Sequence, residues 1–184
     1  MFLVGETWEE RKAKILSFAE QDCCVGVILA TINMEWCLRR CILAMGDNTS
    51  TDLVDELAKV SGIKKYQKLW RLQVEKTTGQ KLELLMENYL HSAANWKNRK
   101  SKLAEEKGFD LSTGWGVLCY AVQLRNKLVH GEKGTASVDF ANQTIDLLLE
   151  AADVLVRFAE SQGAPILGKQ ICRRKCFIPK VVKA

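Results

Sequence analysis

The chain has 184 residues, of which 47% are hydrophobic, 12 are glycine and 2 are proline. This length suits one domain of ordinary size with its own core, and the composition excludes disordered proteins and loop-rich β proteins. The formal net charge of +5 is modest, but the lysines and arginines are clustered, and such clusters attract polyanions.

The first residues, Met1-Phe-Leu-Val-Gly-Glu6, are too few and too soon acidic for a signal peptide. The longest apolar run, residues 25–34, is about half as long as a membrane span needs to be. We therefore expect a cytoplasmic protein that does not engage a membrane.

The chain contains 7 cysteines, and with no secretory signal we expect reduced, mostly buried thiols. Cys37 and Cys41 are one helical turn apart on an apolar helix, which favours a packing role. Cys172 and Cys176 could form half of a zinc site, but no second pair of matching spacing is visible. We therefore predict no metal site and no cofactor.

Helical periodicity runs through nearly the whole chain. Thr7 and Glu10 form a capping box at the first helix, and Gly46 is predicted to end the second helix in a left-handed conformation. Gly131 lies just beyond the end of the sixth helix. The predicted helices cover residues 7–20, 22–45, 51–62, 64–76, 80–107, 115–130 and 137–162.

The last predicted helix keeps its apolar residues three and four positions apart and is ended by Gly163-Ala-Pro165. Residues 164–184 then form a basic, irregular C-terminal tail, with a short strand predicted near Phe177. The predicted fold class is all-α, an antiparallel helical bundle formed by residues 1–163.

The segment from Arg125 to Gly131 holds the residues with the most informative chemistry, Arg125, Asn126 and His130. An arginine grips a phosphate through two parallel hydrogen bonds, and a histidine exchanges protons near neutral pH. On a helical wheel, Arg125 falls inside a broad apolar arc, whereas Asn126 and His130 share the opposite edge. His130 is predicted to lie in the last turn, where the helix dipole favours a cationic imidazolium.

These residues also have structural explanations. A charged arginine on an apolar face is costly unless it is paired, and Glu35, in register with Arg39 on the apolar second helix, is a candidate ion-pair partner. Alternatively, the arc is shared between the core and a subunit interface where Arg125 emerges. His130 could simply cap the last carbonyls of its helix, and a nucleophilic pair of Cys119 with His130 is a weaker alternative.

The string Arg125-Asn126-x-x-x-His130 is similar to the signature of the HEPN superfamily, an arginine followed after a short spacer by a histidine. The order of elements agrees, because the string ends one helix, a long helix follows, and the apolar helix with Glu35 and Arg39 lies near the N-terminus. The resemblance covers roughly residues 7–162 and implies a HEPN-like bundle. One subgroup has a tyrosine shortly after the histidine as the target of nucleotidyl modification; Gly131 and Glu132 stand there instead, so that regulation is not expected.

The family includes metal-independent endoribonucleases, often toxins or anti-phage effectors, and members that only bind a partner protein or a nucleotide. The resemblance implies the first function, in which the RNA 2′-hydroxyl attacks its own phosphate and leaves a 2′,3′-cyclic phosphate and a 5′-hydroxyl. His130 would act in proton transfer, Arg125 would stabilise charge on the phosphate, and Asn126 would orient one or both. Non-catalytic binding of a protein or nucleotide is the alternative.

Because one motif offers one histidine, the resemblance also implies a homodimer with a composite active site. The other expected partners are RNA, such as tRNA or mRNA, and a cognate inhibitor or regulatory protein. Clustered cations are predicted to steer RNA into the cleft, and Trp96, which lies among them, is a candidate for stacking on a base. These cations are Lys97, Arg99, Lys100, Lys127 and Lys133.

Overall fold

The computed structural model is an all-α bundle, which confirms the predicted fold class. It describes residues 7–46, 51–60, 62–132 and 136–167, and no β-strand occurs in these ranges. The helices are α1 (Trp8–Gln21), α2 (Cys23–Met45), α3 (Thr51–Lys59), α4 (Ile63–Thr78), α5 (Leu82–Tyr89), α6 (Lys102–Lys107), α7 (Gly114–Val129) and α8 (Val138–Ser161), with a 3-10 helix (Ser92–Trp96) between α5 and α6.

The central helix is α2, which packs most extensively against α8 and also contacts α1, α4 and α7. Met34, Cys37 and Cys41 have no exposed surface, and the Cys41 thiol donates to the Leu155 carbonyl of α8 at 3.3 Å. Burial raises the pKa of Cys37 to about 12, so its thiol stays protonated. The predicted packing role of Cys37 and Cys41 is confirmed.

The start of the chain follows its capping signals. The Glu10 amide donates to the Thr7 hydroxyl at 3.2 Å, and the Thr7 amide donates to the Glu10 carboxylate at 2.7 Å. Asp22 ends α1 and caps α2, because its carboxylate accepts hydrogen bonds from the amides of Cys24 and Val25. These side chains satisfy amides that have no partner inside their own helix.

The prediction of one helix over residues 80–107 is wrong. The chain is helical in α5, in the 3-10 helix and in α6, and Leu90 and Ser101 between them are extended. The carboxylate of Glu150 in α8 accepts hydrogen bonds from the His91 and Ser92 amides, so these groups are satisfied without a continuous helix. Trp96 is thereby turned into the core, with no exposed surface.

The prediction that Gly46 ends α2 is confirmed, but its predicted left-handed conformation is wrong, whereas the prediction for Gly131 is confirmed. Gly46 has φ −78° and ψ 172°, which is an extended conformation. A Cβ atom at Gly46 would lie 2.9 Å from Leu53 Cδ2, so the glycine serves a close approach between α2 and α3. Gly131, after α7, has φ +69°, the left-handed conformation that glycine adopts without strain.

The first residues of the predicted tail contribute to the core, because Ala164 and Ile166 are 6% and 1% exposed. Residues 168–184, with Cys172, Cys176 and the strand predicted near Phe177, lie outside the described residues. Within the described residues, no helix is both long enough and apolar enough to cross a membrane.

Candidate functional site

The helix that carries the candidate residues is firmly anchored at its start. The Glu87 carboxylate accepts hydrogen bonds from the Gly114 and Trp115 amides, each at 2.8 Å, and the Thr113 hydroxyl accepts from the Gly116 amide at 3.0 Å. Residues 116–122 are all buried. The last part of α7 leaves the core gradually, so the motif begins half-buried and ends in solvent.

Arg125 is half-buried, but it does not form the predicted ion pair with Glu35. Its Nη1 atom donates instead to Asn126 Oδ1 at 2.9 Å. Its Nε atom is buried and has no acceptor among the described residues. A buried donor without an acceptor costs about 1–3 kcal/mol, so core stability alone does not explain an arginine at this position.

Glu35 lies near Arg125 without bonding to it. Burial raises the pKa of the half-buried Glu35 carboxyl, and the charge of the Arg125 guanidinium partly offsets that rise. The pKa of this carboxyl is therefore closer to neutral pH than that of an ordinary glutamate, which suits proton transfer.

Sequence reasoning missed Tyr66 of α4. Burial raises the pKa of its phenol, the Glu35 carboxylate raises it further, and the Arg39 guanidinium opposes the rise. These effects place Tyr66, Glu35 and Arg39 near one another, where α4 faces α2, and Glu35 also lies near Arg125. The sequence shows Tyr66 only as one of the regularly spaced apolar positions of α4. That pattern predicts an ordinary core residue and not a functional one.

His130 is exposed and forms the C-cap of α7. Its amide donates to the Asn126 carbonyl at 2.9 Å. Asn126 therefore contacts both other residues of the motif: its side-chain oxygen accepts a hydrogen bond from Arg125, and its carbonyl accepts one from the His130 amide. The structure thus keeps Asn126 and His130 one turn apart, as predicted, and turns the Arg125 guanidinium towards Asn126.

The predicted RNA-binding residues are distributed over two regions. Lys127 is half-buried on α7 itself, and Lys97 and Lys100 are exposed after the 3-10 helix. Arg99 is half-buried next to them, and Lys133 lies outside the described residues. Trp96 is fully buried, which removes the alternative that it stacks directly on a base.

Cys119 is not suited to be a nucleophile. It is 4% exposed, and burial raises its pKa to about 12, an effect that the charge of Lys64 offsets only in part. Since the thiolate is the reactive form of a cysteine, the buried and protonated Cys119 serves as a core residue.

One group of possible metal ligands occurs in the described part of the chain. The ligand atoms of Asp22, Cys23 and Cys24 lie within 4.8 Å of one another. However, Asp22 Oδ1 already accepts two backbone hydrogen bonds as the cap of α2. The cluster is explained by helix capping. It lies at the N-terminus of α2 and not beside Arg125.

Comparison with protein-family models, with curated proteins and with solved structures gives no match for the chain. The function therefore has to be argued from the chemistry of the site, since many functions share a helical bundle. Here that chemistry consists of an arginine without a carboxylate partner among the described residues, an asparagine that holds it, an exposed histidine and a half-buried glutamate.

Proposed function

We propose that the chain is a metal-independent endoribonuclease of the HEPN type. The observation that carries the proposal is the state of Arg125, which is half-buried, is held by Asn126 and lacks a carboxylate partner within the described residues. An arginine in that state suits a phosphate, whose oxygens accept its hydrogen bonds and match its charge.

In the proposed reaction, the RNA 2′-oxygen attacks the adjacent phosphorus, and the bond from phosphorus to the 5′-oxygen breaks. One group takes the proton of the 2′-hydroxyl, and another gives a proton to the leaving 5′-oxygen. The products are a 2′,3′-cyclic phosphate and a 5′-hydroxyl. The reaction is a transesterification, so it requires no oxidant, reductant or cofactor.

The exposed imidazole of His130 transfers one of these protons. Arg125 stabilises the negative charge that develops on the phosphate oxygens, and Asn126 keeps the guanidinium in position. Glu35 is a second candidate for proton transfer in the same chain, because it lies near Arg125 and burial raises the pKa of its carboxyl.

A homodimer supplies a second histidine and completes the site. Apolar side chains are exposed where α7 ends and α8 begins: Val129 is 47% exposed and Val138 is 62% exposed. Val129 is next to His130 in the chain, and an exposed apolar side chain beside a functional motif favours an interface. A second copy that packs on Val129 would bring its own motif alongside. A role as a toxin or anti-phage effector is supported only by the resemblance of the motif.

The proposal is tested with labelled RNA in the presence of EDTA, comparing wild type with His130→Ala and His91→Ala. Both histidines are exposed, so neither substitution disturbs the core. The side chain of His91 lies outside the motif and serves as the matched control. We expect His91→Ala to cleave like wild type and His130→Ala to lose about 10²–10⁴-fold in rate, with cyclic phosphate ends on the wild-type product.

Two results would overturn the proposal. Inhibition by EDTA would show that a metal takes part in the reaction. Equal activity of His130→Ala and wild type would show that His130 takes no part in the reaction. If wild type leaves diverse RNAs intact, tRNA included, the chain is better explained as a non-catalytic module that binds a protein or a nucleotide.

A further inference from the structure

A pocket of about 260 Å³ lies away from the motif, between the segment that follows the 3-10 helix, α7 and α8. Its back wall is aromatic, formed by Trp96, Tyr120 and Phe140, and its polar side is formed by Arg99, Lys100 and Ser101. This volume is slightly below the roughly 300 Å³ at which small-molecule sites begin. The pocket therefore suits one small group rather than a large organic ligand.

The aromatic wall is part of the core. The ring centroids of Trp96 and Phe140 are 5.2 Å apart, those of Trp96 and Tyr120 are 5.6 Å apart, and Trp96 has no exposed surface. These rings pack on one another, so a ligand does not stack on Trp96. What they provide is a rigid support for the polar residues in front of them.

Arg99 is the residue that this support fixes. Its guanidinium carbon lies 4.8 Å from the Trp96 ring centroid and 5.1 Å from that of Phe140, and Nη2 donates to Gln143 Oε1. A guanidinium has five N–H donors, so most of those of Arg99 are left for a ligand. Because its geometry is already set, little side-chain entropy is lost when an anion binds.

The groups around Arg99 match an anion. Lys100 adds a second positive charge, and the Ser101 hydroxyl donates to the Tyr120 hydroxyl at 3.1 Å, so a hydroxyl pair lies at the same pocket. Among the described residues that line the pocket, none is acidic, and Arg99 forms no ion pair. Two cations and the Tyr120 hydroxyl, whose own hydrogen is left to donate, without a carboxylate are the chemistry of a phosphate site.

The pocket and the motif are related through α7, which carries residues of both. Tyr120 and Lys127 are seven residues apart, which puts them on the same side of α7 and about 10 Å apart along its axis. His130 follows Lys127 by less than one turn. A chain of phosphates that starts at Arg99 and Lys100 would therefore pass Lys127 on its way to His130.

We infer that the pocket of Arg99, Lys100, Ser101 and Tyr120 binds a backbone phosphate of the RNA strand, at a distance from the phosphate that is cleaved. This inference rests on the proposed function, since it takes RNA as the ligand. A free nucleotide would offer the same phosphate chemistry, but the cations that continue along α7 favour a strand.

The test measures binding of a short labelled single-stranded RNA by fluorescence anisotropy, over a series of salt concentrations, in the His130→Ala background. Arg99→Met keeps an unbranched side chain against the Trp96 and Phe140 rings and removes the charge. Arg157→Met is the matched control, because Arg157 is an exposed cation that pairs with Asp153 at 2.8 Å. Thermal denaturation of both variants shows whether the fold is kept.

We expect Arg99→Met to weaken RNA binding about tenfold and to reduce the slope of log affinity against log salt by about 1. Arg157→Met should leave both values unchanged. Tyr120→Phe, which removes only one hydroxyl, should show a smaller loss. Inorganic phosphate and a mononucleotide should compete with the RNA only weakly, because each offers a single contact point.

Three results would overturn the inference. Equal RNA binding by Arg99→Met and Arg157→Met would show that the pocket does not bind the RNA. Cleavage that depends on His130 would still support the proposed nuclease. Displacement of the RNA by a mononucleotide at low concentration would show that the pocket binds a free nucleotide rather than an RNA strand. Absence of both RNA binding and cleavage in wild type would remove the inference together with the proposed function.

Discussion

The two ends of α7 differ in how completely their side chains are explained by the fold. At the N-terminal end, the amides of Gly114 and Trp115 are bound by Glu87, and residues 116–122 are buried. At the C-terminal end, Arg125 Nε has no acceptor in the described part of the chain, and Val129 and His130 are exposed. Packing and satisfied hydrogen bonds explain the first end, whereas the second keeps features that cost stability. Departures from local consistency of this kind are expected at functional sites.

The largest effect should follow a change at the packed end. A Cβ atom at Gly116 would lie 1.9 Å from the Asp110 carbonyl oxygen, so Gly116→Ala forces the loop before α7 to move. We expect a loss of about 3 kcal/mol or more in the free energy of unfolding, measured with urea.

Gly114→Ala is the control for that prediction, because its Cβ atom would lie 3.3 Å from its nearest neighbour, the Met86 carbonyl oxygen. It should change the free energy of unfolding by less than about 1 kcal/mol. Similar losses in the two variants would mean that the start of α7 is less tightly packed than the geometry indicates.

Arg125→Met should separate stability from activity at the other end of α7. Methionine fills a similar space and removes the buried unpaired donor, so the fold should be as stable as wild type or more stable. RNA cleavage should fall about 10²–10³-fold, because charge on the phosphate is no longer stabilised.

The control for Arg125→Met is Arg71→Met, which removes an exposed arginine bonded to Glu83 at 2.6 Å and should leave cleavage unchanged. Urea denaturation and single-turnover cleavage measure the two properties. If Arg125→Met unfolds the protein while Arg71→Met does not, Arg125 is a structural residue and the contrast between the two ends of α7 disappears.

A smaller effect is expected for the proposed dimer. Val129 and Val54 are both 47% exposed, but Val54 lies on α3 rather than on the helix that carries the motif. Val129→Ser should weaken dimerisation about tenfold, since an apolar side chain would no longer be buried between the two copies. Val54→Ser should have no such effect, and neither should change stability by more than about 0.5 kcal/mol. Sedimentation over a range of concentrations measures the difference, and a monomeric wild type would contradict the composite site.

The smallest effect concerns the pH dependence of stability. Burial raises the pKa of Glu35 above its ordinary value of 4.5, and Arg125 offsets only part of that rise. The fold therefore favours the neutral carboxyl: its contribution to stability is full below pH 4.5 and is lost as the pH rises through the raised pKa.

Glu35→Gln cannot ionise, so its stability relative to wild type should increase as the pH rises from below 4.5 into that range. Melting temperatures measured across the pH series test this, with Glu160→Gln as an exposed control that should follow wild type. A constant difference between Glu35→Gln and wild type at all pH values would show that the Glu35 carboxyl is not perturbed by burial.

Most helices could be predicted because their signals are local. The capping box of Thr7 and Glu10 and the glycine at 131 act within one or two turns, so the residues beside them in the chain suffice. The break after α5 could not be predicted in the same way. It depends on Glu150, whose carboxylate binds the Ser92 amide from 58 residues further along the chain.

The candidate site shows the same division. The spacing of Arg125, Asn126 and His130 is a property of the sequence alone, and helical geometry places Asn126 and His130 one turn apart on the same edge. The approach of Glu35 without an ion pair, and the presence of Tyr66 beside it, required the packing of α2 against α4 and α7.

What the sequence by itself determined is therefore the all-α class, the helix ends with capping residues and the chemistry of the motif, all of which depend on short-range geometry. Only the tertiary structure decided that Trp96 is buried, that Arg99 is fixed against aromatic rings and that Arg125 has no carboxylate partner in the described part of the chain. These features depend on contacts between helices that are distant along the chain, where many partners are chemically plausible and packing selects one.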